Sequence, residues 1–404
     1  MLPQALGRFH LLAVSPSHVC MSDLSPFSSA LPAPTDPMAA ALALAEHAVG
    51  VSEPNPRVGC VITSADGRWL LGQGHTQAVG SAHAEIMALR DAQARGHDVR
   101  GATAWVTLEP CAHHGRTPPC CDALVAAGMA RVVAAVGDPN PLVNGQGMAR
   151  LRAAGVAADW GLPTHALAAT ELNIGFFSRM QRRRPWVRLK MASSLDGRTA
   201  LANGVSQWIT SPEARADGHA WRRRAGAVLT GIQTVLADDP MLDVRHVPTQ
   251  VQPVRVVLDS RLRLPPTARL LQSGSPVWLY TAVPADDARI ASWQARGLRV
   301  RSVPDTATGR VDLHAVLADL TAQSINELHV EAGATLNGAW LAAGMVDEIV
   351  LYLAPMLLGQ GAGLAHLGPW ADLTPAPRWQ WQQIERIGPD LRLTARSAPP
   401  ALAG

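Results

Sequence analysis

Hydrophobic and polar positions along the chain fall into two stretches, and each predicts strands interspersed with helices. In the first stretch, short β-branched runs predict strands, and apolar residues three and four positions apart predict helices. The predicted strands are 57–62, 69–74, 103–108, 131–136 and 156–158, and the predicted helices are 38–49, 83–95, 120–127 and 146–154. This alternation predicts a layered α/β domain with a largely parallel sheet.

A second α/β stretch follows a basic break at 179–185 (RMQRRRP), which indicates a solvated linker more than a nucleic-acid patch. Its predicted strands are 186–192, 226–230, 255–259, 277–281, 327–331 and 348–354, with helices near 313–323 and 336–343. We therefore expect two domains, 38–180 and 185–404. The Ser- and Pro-rich residues 1–37 are expected to be a disordered leader or to lie upstream of the true start.

Composition and charge exclude several classes of protein. The chain has 404 residues, 48% hydrophobic and 17% charged, which supports packed cores rather than disorder. Its 35 basic and 32 acidic residues give a net charge of +3, too balanced for a protein that coats nucleic acid. The apolar runs are shorter than the ~20 residues of a membrane span, and no secretory signal is evident. We expect no nucleic-acid partner, no membrane and a cytoplasmic location.

Cysteines and one histidine form the strongest chemical signal. His83 and Glu85 are followed by Pro110-Cys111 and then by Cys120, within a set of five clustered cysteines that does not form a disulfide framework. One imidazole and two thiolates leave zinc an open fourth position, as catalytic sites require. Zinc acidifies a bound water, and a nearby carboxylate that is not a ligand can carry its proton. The pattern predicts a zinc deaminase with Glu85 as the proton carrier.

A structural zinc knuckle is the alternative at this site. His113 or His114 would then supply the imidazole ligand, and Glu85 would have no role, since a structural zinc needs no proton carrier. Cys60 and Cys121 are better explained as buried thiols of a strand and a helix. The full combination of residues favours the catalytic interpretation.

The loop between the two cysteines carries a family resemblance. Eight residues (AHHGRTPP) separate Cys111 from Cys120, and the whole segment PCAHHGRTPPC resembles the zinc loop of the riboflavin-biosynthesis deaminases. The motif NPRVGC at 55–60 and the pair GH at 74–75 also match that family. The resemblance implies a cytidine-deaminase-like three-layer domain.

The same resemblance implies the residues that contact the substrate. Asn55 and His75 would lie at the substrate-binding site, with zinc held by the His83–Cys111–Cys120 set. Arg116 and Thr117 in the zinc loop suit a phosphorylated substrate, because both can donate hydrogen bonds to phosphate.

The second stretch has no G-x-G-x-x-G opening a helix after a strand, so it carries no Rossmann fingerprint. Instead, the segments RLKMASSLDGR (188–198), SQWIT (206–210), GIQTVLADDP (231–240) and HVEAGATL (329–336) resemble the reductase domain of bifunctional riboflavin-biosynthesis enzymes. That resemblance implies a dihydrofolate-reductase-like fold, NADPH as cofactor and a homo-oligomer.

The family pattern also implies the residues of the reductase site. Those at the cofactor would be Ala192, Trp208, Thr234, Asp238, Ser260 and the turn into a helix made by Gly333, Ala334, Thr335, Leu336, Asn337, Gly338 and Ala339. Those at the substrate would be Ser206, Arg222, Leu242, Arg245 and Glu331. The free N–H groups of the turn suit a pyrophosphate, and the two arginines suit a ribose phosphate.

Lys190 is the only lysine, the other 34 basic residues being arginine. Either it survives by chance, or it marks a place where a compact ammonium is needed. Its position inside the first reductase segment favours a function. We expect it to assist proton transfer while the ribosyl ring opens, with Asp238 and Glu331 as alternative donors.

Together the two halves resemble the family of bifunctional riboflavin-biosynthesis deaminase–reductases. The first would hydrolyse an amino group of 2,5-diamino-6-ribosylamino-4(3H)-pyrimidinone 5′-phosphate. The second would reduce the ribosyl chain with NADPH to give 5-amino-6-(5-phospho-D-ribitylamino)uracil. Two rivals are a nucleoside or tRNA deaminase fused to a folate-type reductase, and a zinc-stabilised module that binds nucleotide without turnover. The first is disfavoured because no basic stripe with interleaved aromatics is present.

Overall fold

The computed structural model describes residues 31–113, 118–141, 143–272 and 274–397. The strands of the first half are β1 (Leu31–Pro32), β2 (Gly59–Thr63), β3 (Trp69–His75), β4 (Thr103–Val106), β5 (Arg131–Ala134) and β6 (Ala157–Trp160). Its helices are α1 (Pro37–Ala45), α2 (Ala84–Ala94), α3 (Cys120–Ala126), α4 (Gln146–Ala153), α5 (Pro163–Leu172) and α6 (Ile174–Arg182). The strands form one sheet in the order β1-β3-β2-β4-β5-β6.

Helices cover both faces of this sheet. On one face, α2, α3 and α4 bury Ala88, Leu124 and Leu151 against strand residues. On the opposite face, α1 and α5 bury Met38 and Ala169. Because side chains alternate between the faces of a strand, the two helix layers give two separate cores. The expected three-layer α/β architecture is confirmed.

The sheet is mixed, so the prediction of a largely parallel sheet was wrong. Only β4, β5 and β6 run parallel to one another, whereas β2 pairs antiparallel with both β3 and β4. The reason is the connection between β2 and β3, residues 64–68, which is too short for the crossover that a parallel pair needs.

Residues 31–37, which the composition assigns to a leader, take part in the fold. Leu31–Pro32 pairs antiparallel with Trp69–Leu70. Asp36 Oδ1 accepts hydrogen bonds from the backbone N–H groups of Met38 (3.1 Å) and Ala39 (3.0 Å) at the start of α1. An aspartate cap stabilises a helix start by about 1 kcal/mol. The predicted leader therefore extends too far along the chain, because residues 31–37 are part of the folded domain. Its residues 1–30 lie outside the described part of the chain.

The second half is built on a nine-stranded sheet. Its strands are β7 (Trp186–Ser194), β9 (Ala227–Gly231), β10 (Val254–Leu258), β11 (Val277–Thr281), β12 (Arg299–Ser302), β15 (Glu327–Val330), β16 (Glu348–Ala354), β18 (Trp379–Ile387) and β19 (Asp390–Ser397). Two-residue strands β8 (Ala200–Leu201), β13 (Pro304–Asp305), β14 (Arg310–Val311) and β17 (Gly361–Ala362) form two small ladders. The helices are α7 (Pro212–Arg224), α8 (Ile232–Asp238), α9 (Ala288–Ala295), α10 (Leu313–Ala322) and α11 (Ala334–Ala342).

The order of the large sheet is β12-β11-β10-β9-β15-β7-β16-β19-β18. The pairs from β12 to β16 are parallel, and β19 and β18 extend the sheet antiparallel. This arrangement is consistent with the expected dihydrofolate-reductase-like fold. No helix within the described ranges combines the length and the apolar character needed to cross a membrane.

A buried carboxylate joins the two halves. Glu327 on β15 accepts hydrogen bonds from Arg57 Nη1 of the first half (2.8 Å), and from Arg188 Nη1 (2.8 Å) and Arg224 Nε (2.9 Å) of the second. Glu327 is 1% exposed. Burial alone would raise the pKa of Glu327, but the three guanidinium groups lower it far below its ordinary value.

The basic segment 179–185 is not a solvated linker, so that prediction was wrong. Its residues up to Arg182 belong to α6. Arg182 and Arg184 both donate to Asp347 Oδ1, and Arg179 Nε donates to Asn326 Oδ1 at 2.6 Å. The run looks solvated in the sequence because these acceptors lie 147 residues or more away along the chain.

We expect Glu327→Ala to lower the free energy of unfolding by about 3–5 kcal/mol, because buried guanidinium groups would lose their shared carboxylate. Urea denaturation at neutral pH measures this loss. As a control, Asp159→Ala removes a half-exposed partner of Arg131 and should cost about 0–1 kcal/mol. The folded state holds the pKa of Glu327 below the ordinary glutamate value. Its contribution to the free energy of unfolding should therefore be complete at pH values above the ordinary glutamate pKa, and should decrease as the pH falls below that value. Equal losses of unfolding free energy in Glu327→Ala and Asp159→Ala would contradict the assignment of Glu327 as the carboxylate that joins the two halves.

Candidate active sites

The starts of α2 and α3 bring three metal-binding side chains together. The ligand atoms of His83, Cys111 and Cys120 lie within 4.8 Å of one another. His83 Nδ1 is 3.7 Å from Cys111 Sγ and 3.3 Å from Cys120 Sγ, and the Cys120 backbone N–H donates to Cys111 Sγ at 3.3 Å. The hydrogen bond from the Cys120 side chain lowers the pKa of Cys111, which favours the thiolate that a metal needs. One nitrogen and two sulfurs fit zinc and leave its fourth position open.

Glycines on β3 allow the helix that carries this site to lie directly on the sheet. A Cβ at Gly72 would be 2.3 Å from the Ala88 carbonyl oxygen, and a Cβ at Gly74 would be 2.6 Å from the Ala88 nitrogen. Only residues without a side chain permit such an approach. His83 caps the N-terminus of α2, and Glu85 lies in its first turn.

Glu85 is buried beside the predicted metal ligands. It is 4% exposed and lines the same cavity as His83 and Cys111. Burial, and then the neighbouring Cys111 thiolate, raise the pKa of Glu85 to about 7. A carboxyl group that titrates near neutral pH can both accept and donate a proton, which is what a general acid–base requires.

The cavity next to these residues has a volume of about 430 Å³. Of the two predicted substrate residues, Asn55 lines it. His75 is not among the described lining residues; its ring packs edge-on against His47 at 5.5 Å, and its Nδ1 contacts the Thr76 carbonyl oxygen. A substrate role for His75 stays a prediction.

The alternative of a structural knuckle gains no support. His113 lines the cavity but is not one of the clustered ligands, and His114, Arg116 and Thr117 lie outside the described residues. Sequence reasoning missed Asp138, Asn140 and Arg179, which also line the cavity. A signal was available for the first two, since they form a polar turn just after β5, and ligands of α/β sheets bind beyond the carboxyl ends of strands.

A second cavity, of about 630 Å³, lies in the second half. Most residues predicted for the reductase site line it, namely Lys190, Ala192, Ser206, Trp208, Arg222, Thr234, Asp238, Leu242, Arg245 and Glu331. The Trp208 indole is 68% exposed, and the Arg215 guanidinium lies 4.5 Å from its ring centroid. The volume and the arginines suit an anionic nucleotide.

Other predicted cofactor residues are not among the described residues that line this cavity. Ser260 Oγ accepts a hydrogen bond from a backbone N–H at 3.2 Å. Asn337 Nδ2 donates to the Leu364 carbonyl oxygen at 2.9 Å, and a Cβ at Gly338 would be 2.0 Å from the His366 carbonyl oxygen. Asn337 and Gly338 therefore pack against residues 364–366. Cofactor contacts stay predictions for Ser260, Gly333, Ala334, Thr335, Leu336, Asn337, Gly338 and Ala339.

Lys190 and Glu331 both line the second cavity. Burial lowers the pKa of Lys190, with Glu331 acting against the shift. Arg222 binds Glu331 through two hydrogen bonds, Nε to Oε1 (2.5 Å) and Nη2 to Oε2 (2.9 Å), and its Nη1 donates to the Asp243 carbonyl oxygen. The Arg222 guanidinium therefore positions Glu331. Arg245 donates through Nη1 to Asp243 Oδ1 but keeps 43% of its side chain exposed, so its other N–H groups are accessible to a phosphate.

His219 is a cavity residue that sequence reasoning missed. Its Nδ1 accepts the Arg245 backbone N–H at 3.1 Å, and its ring packs edge-on against His246 at 4.5 Å. Burial, reinforced by Arg222 and Arg245, lowers the pKa of His219 to about 4. No motif surrounds it, so its position in the cavity follows only from the tertiary fold.

Removing a predicted zinc ligand should empty the first site without affecting the second. Because loss of an outer-shell partner alone costs 10–100-fold in metal affinity, we expect Cys120→Ser to weaken zinc binding by at least ~100-fold. Metal analysis after dialysis against a chelator measures this. Cys121→Ala is the matched control, since Cys121 is adjacent but outside the ligand cluster. Zinc retained in Cys120→Ser, or lost in Cys121→Ala, would contradict the ligand assignment.

Comparisons with known proteins assign each half of the chain to a family. Residues 34–136 match the family described as the cytidine and deoxycytidylate deaminase zinc-binding region, and residues 185–393 match the RibD C-terminal domain. The riboflavin biosynthesis protein RibD of Escherichia coli is 47% identical over 369 residues, which cover 88% of this chain and 97% of that protein. Its counterpart in Aquifex aeolicus is 39% identical over 354 residues, 88% and 96% of the two chains.

Solved structures give the same result. RibD from Acinetobacter baumannii matches with a TM-score of 0.80 and 41% identity, covering 90% of this chain and 98% of that one. A diaminohydroxyphosphoribosylaminopyrimidine deaminase/5-amino-6-(5-phosphoribosylamino)uracil reductase from Thermotoga maritima matches with a TM-score of 0.79 and 31% identity, over 90% and 98%. Because single relatives span both halves, a deaminase of another class fused to a folate-type reductase is excluded. The chain belongs to the RibD family of bifunctional deaminase–reductases of riboflavin biosynthesis.

Proposed function

We propose that the cavity beside His83, Cys111 and Cys120 deaminates 2,5-diamino-6-ribosylamino-4(3H)-pyrimidinone 5′-phosphate. The cavity around Lys190 then reduces the ribosyl chain of the product to give 5-amino-6-(5-phospho-D-ribitylamino)uracil. One observation carries this proposal: a single chain places a zinc-type donor set with a buried carboxyl group in one cavity, and a lysine, a glutamate and several arginines in the other.

In the first cavity, the chain supplies a proton carrier and a binding wall. Zinc held by the three ligands would make a water molecule acidic enough to act as a nucleophile near neutral pH. Glu85 is placed to accept a proton as a water oxygen bonds to the amine-bearing carbon, and to deliver that proton to the nitrogen as the carbon–nitrogen bond breaks, so that ammonia departs. Asn55 offers amide donors and acceptors to the pyrimidine edge.

In the second cavity, the chain binds two anionic molecules and supplies a proton. NADPH provides the hydride. Lys190 donates a proton to the ribosyl ring oxygen as the ring opens and C1′ accepts the hydride. Glu331 suits this donor role poorly, because Arg222 holds its pKa well below the ordinary range despite burial. Arg245 and Ser206 contact the phosphorylated substrate, and the exposed indole of Trp208 contacts the cofactor.

We also propose the cellular compartment, the oligomeric state, the partners and the domain boundary of the enzyme. The described cysteines are free thiols, which supports a reduced, cytoplasmic compartment. The edge strand β18 exposes Trp381 and Ile384 by 60% and 62%, which supports a homo-oligomer that covers this edge. The small net charge supports the absence of a nucleic-acid partner. The boundary between the domains, at 180–185, would fall at the end of α6.

The test follows both reactions at once on the purified protein with zinc. Ammonia release and NADPH oxidation are measured with the diaminopyrimidine ribotide as the only pyrimidine. We expect one equivalent of each per ribotide, with ammonia release continuing when NADPH is omitted. Ammonia release without any NADPH oxidation would contradict the proposal for the second cavity, and the absence of ammonia would contradict that for the first.

A further inference from the structure

The reductase half contributes to the wall of the deaminase cavity. Ser324 lines this cavity together with Pro54 and Asn55, although it belongs to the segment that matches the RibD C-terminal domain. Ser324 has a left-handed backbone conformation, with a φ of 62°, and lies in the short turn between α10 and β15. The next polar side chain after this turn, Asn326, contacts Pro54 and Arg179, which both line the cavity.

Asn326 bridges two elements of the first half. Its Nδ2 donates to Glu53 Oε2 at 2.8 Å and to the Pro54 carbonyl oxygen at 2.9 Å, and its Oδ1 accepts from Arg179 Nε at 2.6 Å. Asn326 is 3% exposed. Both amide hydrogens and the oxygen are thus used, and water has little access to compete for them.

The first element that Asn326 holds is the segment that carries Asn55. Glu53 Oε1 accepts a hydrogen bond from Arg57 Nη2 at 3.0 Å while Glu53 Oε2 accepts from Asn326. The Ser52 hydroxyl donates to the Asn55 carbonyl oxygen at 3.1 Å. The segment is therefore fixed on both sides, and Asn326 supplies the only contact among these that comes from the reductase half.

The second element is Arg179, which lines the cavity itself. Its Nε is committed to Asn326, and its guanidinium carbon lies 5.8 Å from the Phe176 ring centroid. Among the described lining residues, Arg179 is the only arginine or lysine. A guanidinium anchored through Nε presents its two Nη groups together, which suits a phosphate.

We infer that Asn326 is a positioning residue of the deaminase site: from the reductase half, it holds the Asn55 segment and orients Arg179 towards the phosphate of the ribotide. This inference rests on the proposed deaminase function. It also gives a physical reason for fusing the two domains, because the first cavity is incomplete without the second half.

The test measures deaminase kinetics of the full-length, zinc-loaded protein with the ribotide and with the corresponding riboside, which lacks the phosphate. We expect Asn326→Ala to raise KM for the ribotide by about 10–100-fold, since loss of a hydrogen bond to a charged group weakens binding by about that factor, with kcat changed less than about 3-fold. The preference for ribotide over riboside should shrink, as it should in Arg179→Ala. Zinc content and reduction of the deaminated ribotide should stay unchanged.

A second variant, which reverses the hydrogen bond between residues 53 and 326, distinguishes a positioning role of Asn326 from a purely stabilising one. In the double variant Asn326→Asp with Glu53→Gln, the introduced aspartate still accepts from Arg179 and can accept from the introduced glutamine amide, Arg57 keeps an oxygen acceptor, and the hydrogen bond to the Pro54 carbonyl oxygen is lost. We expect this pair to recover part of the lost ribotide affinity, more than either single substitution retains. Tyr280→Phe is the control, because it removes a buried hydrogen bond that lies wholly within the reductase half, to Asp319; its deaminase KM should equal that of the wild type.

Three results would overturn the inference. They are an unchanged ribotide KM in Asn326→Ala, an equal rise in Tyr280→Phe, and a loss of ribotide and riboside turnover in the same proportion together with loss of zinc. If the wild-type protein itself released no ammonia from the ribotide, the proposed function would fail instead.

Discussion

Glu85→Gln should lower kcat for deamination by about 10²–10⁴-fold, the usual contribution of a general acid–base. The amide has nearly the shape of the carboxyl group but cannot carry a proton from water to the leaving nitrogen. Because Glu85 is not one of the clustered ligand residues, zinc content should stay at the wild-type level. Ammonia release in single-turnover experiments, with metal analysis of the same samples, measures both quantities.

The reductase half provides an internal control for Glu85. Reduction of the already deaminated ribotide should proceed at the wild-type rate in Glu85→Gln and in Glu85→Ala. Loss of zinc or of the fold in Glu85→Ala would favour a structural zinc site and a module that binds nucleotide without turnover. Wild-type ammonia release by either variant would rule out the assigned proton carrier.

Lys190→Met should lower kcat for reduction by about 10²–10⁴-fold, because the second cavity would lose its proton donor while keeping a side chain of similar length. Lys190→Arg should not restore the rate, since a guanidinium group does not release its proton in proteins. In the wild type, kcat should fall as the pH rises through the pKa of Lys190, which burial places below the ordinary 10.5. That alkaline decline should be absent from Lys190→Met.

Deaminase activity, zinc content and NADPH affinity are the controls for Lys190→Met, and all three should match the wild type. Asp238→Asn tests the alternative donor, since Asp238 also lines the second cavity. A small effect of Lys190→Met beside a large one of Asp238→Asn would transfer the donor role to Asp238.

Much of the fold could be predicted wherever an element is a short apolar run between polar turns. The strands Val277–Thr281 and Glu348–Ala354 have the predicted ranges. The strand β18 escaped prediction because its side chains are largely exposed and its sequence, WQWQQIERI, does not sustain an apolar alternation beyond its first three residues. Helix α7 escaped because PEARADGHAWRRR is mostly polar, with only a few buried residues.

Site residues could be predicted where the signal is local in the sequence, and could not where it depends on contacts between distant residues. His83, Glu85 and the two cysteines could be predicted because catalytic zinc chemistry fixes their types, and local spacing places them at the start of α2 and around the start of α3. Asn326 could not be predicted, because its partner Glu53 is 273 residues away and its function depends on the contact between the halves. The commitment of Arg222 to Glu331, across 109 residues, is hidden from the sequence for the same reason.

We expect one chain to perform both reactions in sequence. Mass spectrometry of the product formed from the diaminopyrimidine ribotide, zinc-loaded protein and NADPH shows whether it does. The expected product is a pyrimidine that has exchanged an amino group for a hydroxyl group and gained two hydrogens. Exchange without the gain of hydrogen would contradict the reductase function of the second cavity, and unchanged ribotide, with zinc bound and the protein folded, would contradict the bifunctional assignment.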